Sequence, residues 1–404
     1  MSLNSKYEWW VRAQDSVAQG ALTNSKHPSA HVFGVYPTHI TGGSGAWVFD
    51  TSGKKYVDYI CGLGANLFGY SPPPLIEQLS KHMYAGFSHS LPTQHEVITA
   101  ESLKTMFYFV GKWKFLKSGS QACTAAIKIA RAATGRKKVY SDGYHGHEDE
   151  FVSLTNPATG VHTCTEIFKY TDDCDLSDAA AVIIEPVITK YDDERIAWLQ
   201  ALREKCTKAG CMLIFDEVIC GFRFDKHCVA LATNIIPDLI VIGKAMANGL
   251  PLAAVGGKAT VMDSPYFVSS TYAGEVLSMV SCQWTVSALL NRHQFKIDKL
   301  WEAGARFQKR FNDMGAGKIG IEGYPTRGVF TGEPLTKALF FQEAVKAGFL
   351  FGPSFFYSFA NHAHDFEFFT FLKDFMDRLV MGSIKLEGDM PTSPFAQRVR
   401  DGKA

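Results

Sequence analysis

A doubly wound α/β domain, with helices on both faces of a mostly parallel sheet, is the fold class predicted for the middle of this chain. Three observations predict it. Short apolar runs alternate with helical patterns from about residue 113 to residue 257. The runs Ala180-Ala181-Val182-Ile183-Ile184, Met212-Leu213-Ile214-Phe215 and Leu239-Ile240-Val241-Ile242 carry no polar residue, as strands covered on both faces require. Each run delivers polar residues at its C-terminal end: Glu185, then Asp216 with Glu217, then Lys244 after Gly243. Ligands of open α/β sheets bind beyond the carboxyl ends of the strands, so Asp216 and Lys244 are candidates to face one pocket. A lysine held near a carboxylate in a buried site is suited to capturing a carbonyl carbon. A solvated lysine at an ordinary strand end has the same sequence appearance.

The bulk composition narrows the function classes. At 404 residues the chain is long enough for two or more packed units. It is 46% hydrophobic and 20% charged, the balance of a soluble globular protein. A formal net charge of +1 gives no electrostatic reason to expect nucleic acid or a membrane surface as partner. The nine cysteines form no CxxC pair, which points to reduced, intracellular usage and not to a disulfide frame or a zinc site. Lys6, Glu8, Arg12 and Asp15 interrupt any N-terminal signal segment. No apolar stretch reaches the roughly 18 residues of a membrane span, so a cytoplasmic location is expected. The 30 phenylalanines imply bulky cores or a subunit interface.

The elements follow in order. Residues 5 to 25 are predicted to be helical, with Trp9, Trp10, Ala13, Val17 and Ala21 near one face. Residues 46–50 and 56–59 flank a Gly turn and read as a β-hairpin. The small residues Cys61-Gly62-Leu63-Gly64-Ala65-Asn66 suit a close backbone approach to a ligand, or a tight loop without one. Residues 72–110 read as two helices, opened by Pro72-Pro73-Pro74 and by Pro92, with Ser88, His89, Ser90 and Thr93 between them. Trp113 to Leu116 is a strand, followed by Ser118-Gly119-Ser120 and an alanine-rich helix. The free N–H groups of such a helix start suit a phosphate, although an ordinary cap by Ser118 or Ser120 accounts for the same residues. The loop after the strand at 138–140 holds Tyr144, whose face could stack on a planar ligand, and His145, His147, Glu148 and Asp149. Their spacing fits no zinc signature, so no metal is expected. Beyond residue 257 a polar turn around Thr271 leads into helices over 276–290 and 297–314, then short strands and helices. The tail from Glu387 reads as an extended arm.

Taken in this order, the motifs resemble the class III, fold-type I pyridoxal-phosphate-dependent aminotransferases, and within them the glutamate-1-semialdehyde 2,1-aminomutases. They are Ser118-Gly119-Ser120-Gln121-Ala122, Ile129-Ala130-Arg131, Thr134-Gly135-Arg136, Tyr144-His145-Gly146-His147, Ile184-Glu185-Pro186, Phe215-Asp216-Glu217-Val218, Gly221-Phe222-Arg223, Pro237-Asp238-Leu239 and Gly243-Lys244. Twenty-eight positions separate Asp216 from Lys244, as the resemblance requires. It implies a large cofactor-binding domain over 60–285 and a smaller α+β domain formed by the N-terminal segment 1–59 and the C-terminal part 286–404. It implies that Lys244 forms the Schiff base with pyridoxal 5′-phosphate and then moves protons, and that Asp216 pairs with the pyridinium nitrogen. Val218 and Tyr144 would cover the two ring faces, and Ser118, Gly119 and Ser120 would hold the phosphate. His145 and Glu185 would have supporting roles. Thr271 would reach the phosphate of a neighbouring subunit, which makes a homodimer with shared active sites.

The substrate half departs from the pattern. Ser120-Gln121 replaces the usual Thr-Glu, Thr189-Lys190 replaces a Gly-Asn pair, Glu275 follows Gly274 in place of Asn, and Leu63 stands where an aromatic residue is common. His31 lies nearest to where the aminomutases keep an arginine for the substrate carboxylate. His31, Leu63 and Ser88 are therefore the candidate substrate contacts. The expected reaction is amino transfer between an amine and a carbonyl acceptor. The alternatives are an intramolecular aminomutase, a decarboxylase or lyase on a nucleotide- or sugar-linked substrate, and a silent cofactor-binding scaffold.

Overall fold

A computed structural model describes residues 7–151, 166–291 and 295–393. The chain divides into two compact units. One comprises Met1–Leu63, Leu67–Pro72 and Glu302–Ala404, and the other Gly64–Asn66 and Pro73–Trp301.

The second unit carries the predicted α/β architecture. Its sheet has seven strands in the order Lys112–Leu116, Ala253–Gly257, Leu239–Ile242, Met212–Asp216, Ala179–Ile184, Lys138–Asp142, Ile167–Lys169. Ala253–Gly257 runs antiparallel to both neighbours, and every other pairing is parallel. The three runs singled out above are buried at every residue except Met212, which is half-buried. Gly256 has no side chain because a Cβ there would lie 2.5 Å from the Trp113 ring. The helix Gly119–Thr134 turns Ala122, Ala125, Ala126 and Ala130 inward, small residues that let it lie close on the sheet. It ends on Gly135 in the left-handed conformation, φ +69°. The helix Asp193–Ala209 begins where Asp192 accepts from the Arg195 N–H and caps it.

In the first unit the hairpin Trp47–Asp50 and Lys55–Asp58 is antiparallel as expected, and Ile40–Ser44 adds to its edge. Phe349–Leu350 pairs in parallel with the other hairpin strand. A second sheet joins Ile319–Tyr324, Arg327–Gly332 and Ser354–Phe356. The phenylalanines are largely core here: Phe307, Phe311, Phe340, Phe351, Phe355 and Phe368 are fully buried and their rings meet at centroid distances of 5.1–6.5 Å.

The N-terminal helix is shorter than its periodicity predicts. It spans Glu8–Ser16, and Val17 is extended. Gly20 sits under Trp10, where a Cβ would come within 2.6 Å of the indole, so the chain folds back over that ring and does not continue the helix. Residues 387–393 form neither helix nor strand and are pinned by their backbone, and the rest of the predicted arm lies outside the described residues. Asp389 N–H donates to Phe33 O at 2.8 Å, and Thr392 N–H to Ser29 O at 2.7 Å.

Candidate active site

Within the second unit, the candidate cofactor residues converge at the carboxyl ends of the parallel strands. Asp216, the last residue of Met212–Asp216, is 5% exposed. Its Oδ1 accepts the Val218 N–H at 3.0 Å. Its Oδ2 accepts from His145 Nδ1 at 2.8 Å and from the Cys123 thiol at 3.3 Å. The His145 ring is buried and its Nε2 faces the Asp142 carbonyl at 3.1 Å, so both ring nitrogens meet acceptors and the imidazole is fixed in one orientation. Burial, reinforced by the Asp216 charge, raises the Cys123 thiol far above its ordinary value. Cys123, His145 and Asp216 bring three metal-ligand atom types within 4.8 Å of one another, yet a protonated thiol is a poor ligand.

Lys244 follows Gly243 and opens the short 3-10 turn Lys244–Ala247, half-buried, with φ +45°. A non-glycine residue in that region costs energy and persists where its surroundings hold it, a common condition at functional positions. The adjacent strands Met212–Asp216 and Leu239–Ile242 thus present a carboxylate and an amine-bearing turn at the same sheet edge.

The helix start at Ser118 forms the third feature. Ser118 Oγ accepts the Gln121 N–H at 3.2 Å, which is the cap its sequence suggested. A Cβ on Gly119 would lie 2.9 Å from both Val218 methyls, so the backbone and Val218 are in close packing contact. Ser120 is buried, and its Oγ accepts the His147 N–H at 2.9 Å. Gly146 allows that approach, since a Cβ there would sit 2.0 Å from Ser120 Oγ. Tyr144 is 46% exposed, and its backbone N–H donates to Glu185 Oε1 at 2.8 Å. Glu185 therefore holds the loop that carries Tyr144 and His145.

Sequence reading missed two components. Cys123 lies one helical turn beyond Gly119, on the face that carries Gly119 and Ser120, and that spacing was its only signal. Lys117 pairs with Glu275 at 3.2 Å, and both side chains are largely buried, at 16% and 18% exposure. Glu275 also caps the helix Val276–Leu290, accepting from Leu277 N–H and Ser278 N–H. Lys117 N–H donates to Gln121 Oε1 at 3.2 Å, so the neutral Gln121 keeps a hydrogen bond and the new charge at 275 takes the ion pair.

Thr271 is exposed in the loop before the helix Val276–Leu290, and Ser88 is exposed in the connection after the helix Pro73–His82. Leu63 is half-buried within a turn of four successive residues, Cys61–Gly64, at φ +51°, +60°, +61° and +87°. His31 stacks on Tyr36 at 5.0 Å, and burial pushes its pKa down to about 4, so it is uncharged near neutral pH.

The Aminotransferase class-III family model matches residues 29–173 and 161–356. The chain belongs to the class-III aminotransferases. It is 32% identical over 313 residues to the glutamate-1-semialdehyde 2,1-aminomutase of Syntrophus aciditrophicus (strain SB), covering 68% of this chain and 71% of that one. It is 28% identical over 399 residues to the enzyme of that name from Syntrophobacter fumaroxidans (strain DSM 10017 / MPOB), covering 85% and 91%. Its fold matches the pyridoxal-phosphate internal aldimine form of the FumI protein of Sphingopyxis sp. MTA144, with TM-score 0.85, 22% identity and coverage of 96% and 98%. It also matches an omega-transaminase from Sphaerobacter thermophilus, with TM-score 0.82, 22% identity and coverage of 93% and 98%. This class-III aminotransferase is thus an enzyme of fold type I, and its cofactor is pyridoxal 5′-phosphate. The donor set suits that cofactor: a buried carboxylate for a ring nitrogen, an amine for an aldehyde, and a capped helix start with a glycine cradle for a phosphate. Among the described residues no helix is long and apolar enough to cross a membrane.

Proposed function

We propose that this enzyme transfers an amino group between an amine or amino-acid donor and a carbonyl acceptor. The observation that carries the reading is Asp216, buried with His145 and Cys123 on one oxygen, on the strand next to the one that leads to Lys244. When bound, pyridoxal phosphate supplies an aldehyde carbon for amine capture and a ring that accepts the electrons released at the substrate carbon. Asp216 keeps a proton on the ring nitrogen, and His145 orients that carboxylate. Lys244 Nζ offers the amine that holds the cofactor, then takes a proton from the substrate carbon and returns one to the carbon that receives the amino group. Ser118, Gly119 and Ser120 hold the phosphate at the helix start, and Ser120 can donate its hydroxyl proton because its oxygen already accepts from His147. Tyr144 and Val218 flank the ring, and Glu185 fixes the Tyr144 backbone.

Two further parts of the reading concern assembly and substrate. Thr271, exposed on its own chain, serves the phosphate of a second copy in a cytoplasmic homodimer. An uncharged His31 offers no cation for a substrate carboxylate, which favours intermolecular transfer from an amine over the glutamate-1-semialdehyde rearrangement named for the relatives. The test is a panel of amine donors with keto acids, followed by mass spectrometry and by the visible spectrum of the bound cofactor. Interconversion of the aldehyde and amine forms of the cofactor with some donor and acceptor supports the reading. An enzyme that never interconverts them, yet turns over a semialdehyde, refutes it. Lys244→Ala is expected to abolish turnover and covalent retention of the cofactor after borohydride reduction.

A further inference from the structure

The helix Val276–Leu290 is largely buried, yet it carries hydroxyls that need partners. Ser278 finds its partner in the helix cap, donating to Glu275 Oε2 at 2.5 Å. Ser281 is fully buried and donates to another element: its Oγ lies 2.7 Å from the carbonyl oxygen of Ala247. A serine inside a helix ordinarily bonds back to its own preceding turn, so a hydroxyl directed at a carbonyl elsewhere marks a tie between two elements.

Ala247 is the last residue of the short turn that Lys244 opens. Lys244 enters that turn at φ +45° and Asn248 leaves it at φ +40°, so a left-handed residue other than glycine stands at each end. Such a backbone persists where its surroundings hold it. The Ala247 carbonyl belongs to the peptide that leads into Asn248. It accepts the Leu250 N–H at 3.0 Å from the chain that follows, and the Ser281 hydroxyl from outside. The helix that gives this outside support is itself fixed. At its N-terminal end the cap Glu275 pairs with Lys117, the residue before Ser118. Two residues past Ser281, Gln283 Nε2 donates to the His95 carbonyl at 3.2 Å and to Thr99 Oγ1 at 2.9 Å, which ties the helix to Gln94–Met106. All of these residues lie in the α/β unit.

We infer that Ser281 is a positioning residue for Lys244: its hydroxyl anchors the strained turn that carries the amine to a helix already fixed against the residue that precedes Ser118. The amine and the phosphate cradle are thereby held to one rigid element. This inference rests on reading Lys244 as the residue that bonds to the cofactor. It gives Ser281 no contact with cofactor or substrate and assigns it the placement of the amine alone.

The experiment starts from the holoenzyme without amine donors and adds 4′-deoxypyridoxine 5′-phosphate, which has the cofactor's ring and phosphate but a methyl group in place of its aldehyde. Only the cofactor can bond to Lys244. The excess of analogue that displaces half of the cofactor, read from the visible absorbance, therefore measures that bond apart from the ring and phosphate contacts. Ser281→Ala is expected to lower this excess about fivefold, the effect of one lost hydrogen bond. Damage to the cradle would weaken both ligands together and leave the excess at its wild-type value. That result in a loaded Ser281→Ala enzyme overturns the inference. Ser281→Cys, which keeps a weaker donor, is expected to lie between the two. If Ser281→Ala fails to load, Ser281→Cys decides: a lowered excess supports the inference and a wild-type one overturns it. Lys244→Ala should bring half-displacement near equal amounts of the two ligands. If it keeps the wild-type excess, the reading of Lys244 as the bonding residue fails, whereas an unchanged excess in Ser281→Ala alone removes only the role of Ser281.

Discussion

Glu217, the neighbour of Asp216, provides a stability test that can be worked through from the structure. Its carboxylate is fully buried and caps the short helix Val229–Thr233, accepting the Val229 N–H at 2.8 Å and the Ala230 N–H at 3.0 Å. Burial is the largest influence on its acidity and outweighs those two donors, and the Asp216 charge adds to it, so the pKa rises from 4.5 to about 7. The folded protein therefore keeps a proton on Glu217 that the unfolded chain loses near 4.5. Below that pH both states are protonated and the residue carries no penalty. Between pH 4.5 and about 7 stability falls as pH rises, and above about 7 the loss is complete. The gap corresponds to about 3 kcal/mol at 1.36 kcal/mol per pH unit. Glu217→Gln is neutral at every pH and nearly isosteric, although its NH2 group must avoid one of the two donors. Denaturant unfolding of both holoenzymes from pH 4.5 to 8 checks this, because losses common to the two proteins cancel in the difference. The stability of the wild type relative to the variant should fall by about 3 kcal/mol across that range and level off near pH 7. Parallel pH profiles, or a relative gain for the wild type on raising pH, would refute the reasoning.

The remaining predictions concern the cradle and its supports. Gly146→Ala puts a Cβ 2.0 Å from Ser120 Oγ at φ +114°, so cofactor retained after dialysis should drop sharply. Gly119→Ala, 2.9 Å from the Val218 methyls, should show a smaller loss, and equal retention in the two variants would contradict the cradle geometry. Cys123→Ala removes one of the two donors on Asp216 Oδ2 and should move the pH titration of the cofactor's absorbance, whereas Cys123→Ser, which keeps a donor, should follow the wild type. Lys117→Met breaks the pair with Glu275 and should cost about 1 kcal/mol in denaturant unfolding, since Glu275 keeps its capping hydrogen bonds; no loss would mean that the pair contributes nothing.

Much of the α/β unit was legible because its strands are buried on both faces and therefore apolar throughout, and because polar residues at their ends mark the ligand side of such a sheet. Asp216 and Lys244 stood out for that reason, and the order of the motifs supplied the family. What stayed hidden depends on contacts between distant residues. The Lys117–Glu275 pair joins positions 158 residues apart. The left-handed residues Cys61 and Leu63 follow Asp58, whose carboxylate accepts the N–H groups of Ile60, Cys61 and Gly62, and local propensity would not predict two non-glycine residues there. The N-terminal helix was overextended because periodicity cannot register the Trp10 ring lying over Gly20. Cys123 reads as one more small core residue until the strand bearing Asp216 is set beneath its helix.

The parallel pairing of Phe349–Leu350 with Lys55–Asp58 bears on how the protein is made. A ribosome delivers the hairpin early, but the strand that completes its sheet arrives only after the whole Pro73–Trp301 segment has been translated. Until then the hairpin edge and Tyr59, which ends fully buried against Phe307 and Phe351, have no partners. The α/β unit, whose sheet is contained in one continuous stretch, can fold first. Nascent chains arrested shortly after residue 301 should therefore carry a protease-resistant core of about that stretch behind a cleavable leading segment, and that segment should bind holdase chaperones until synthesis passes Leu350.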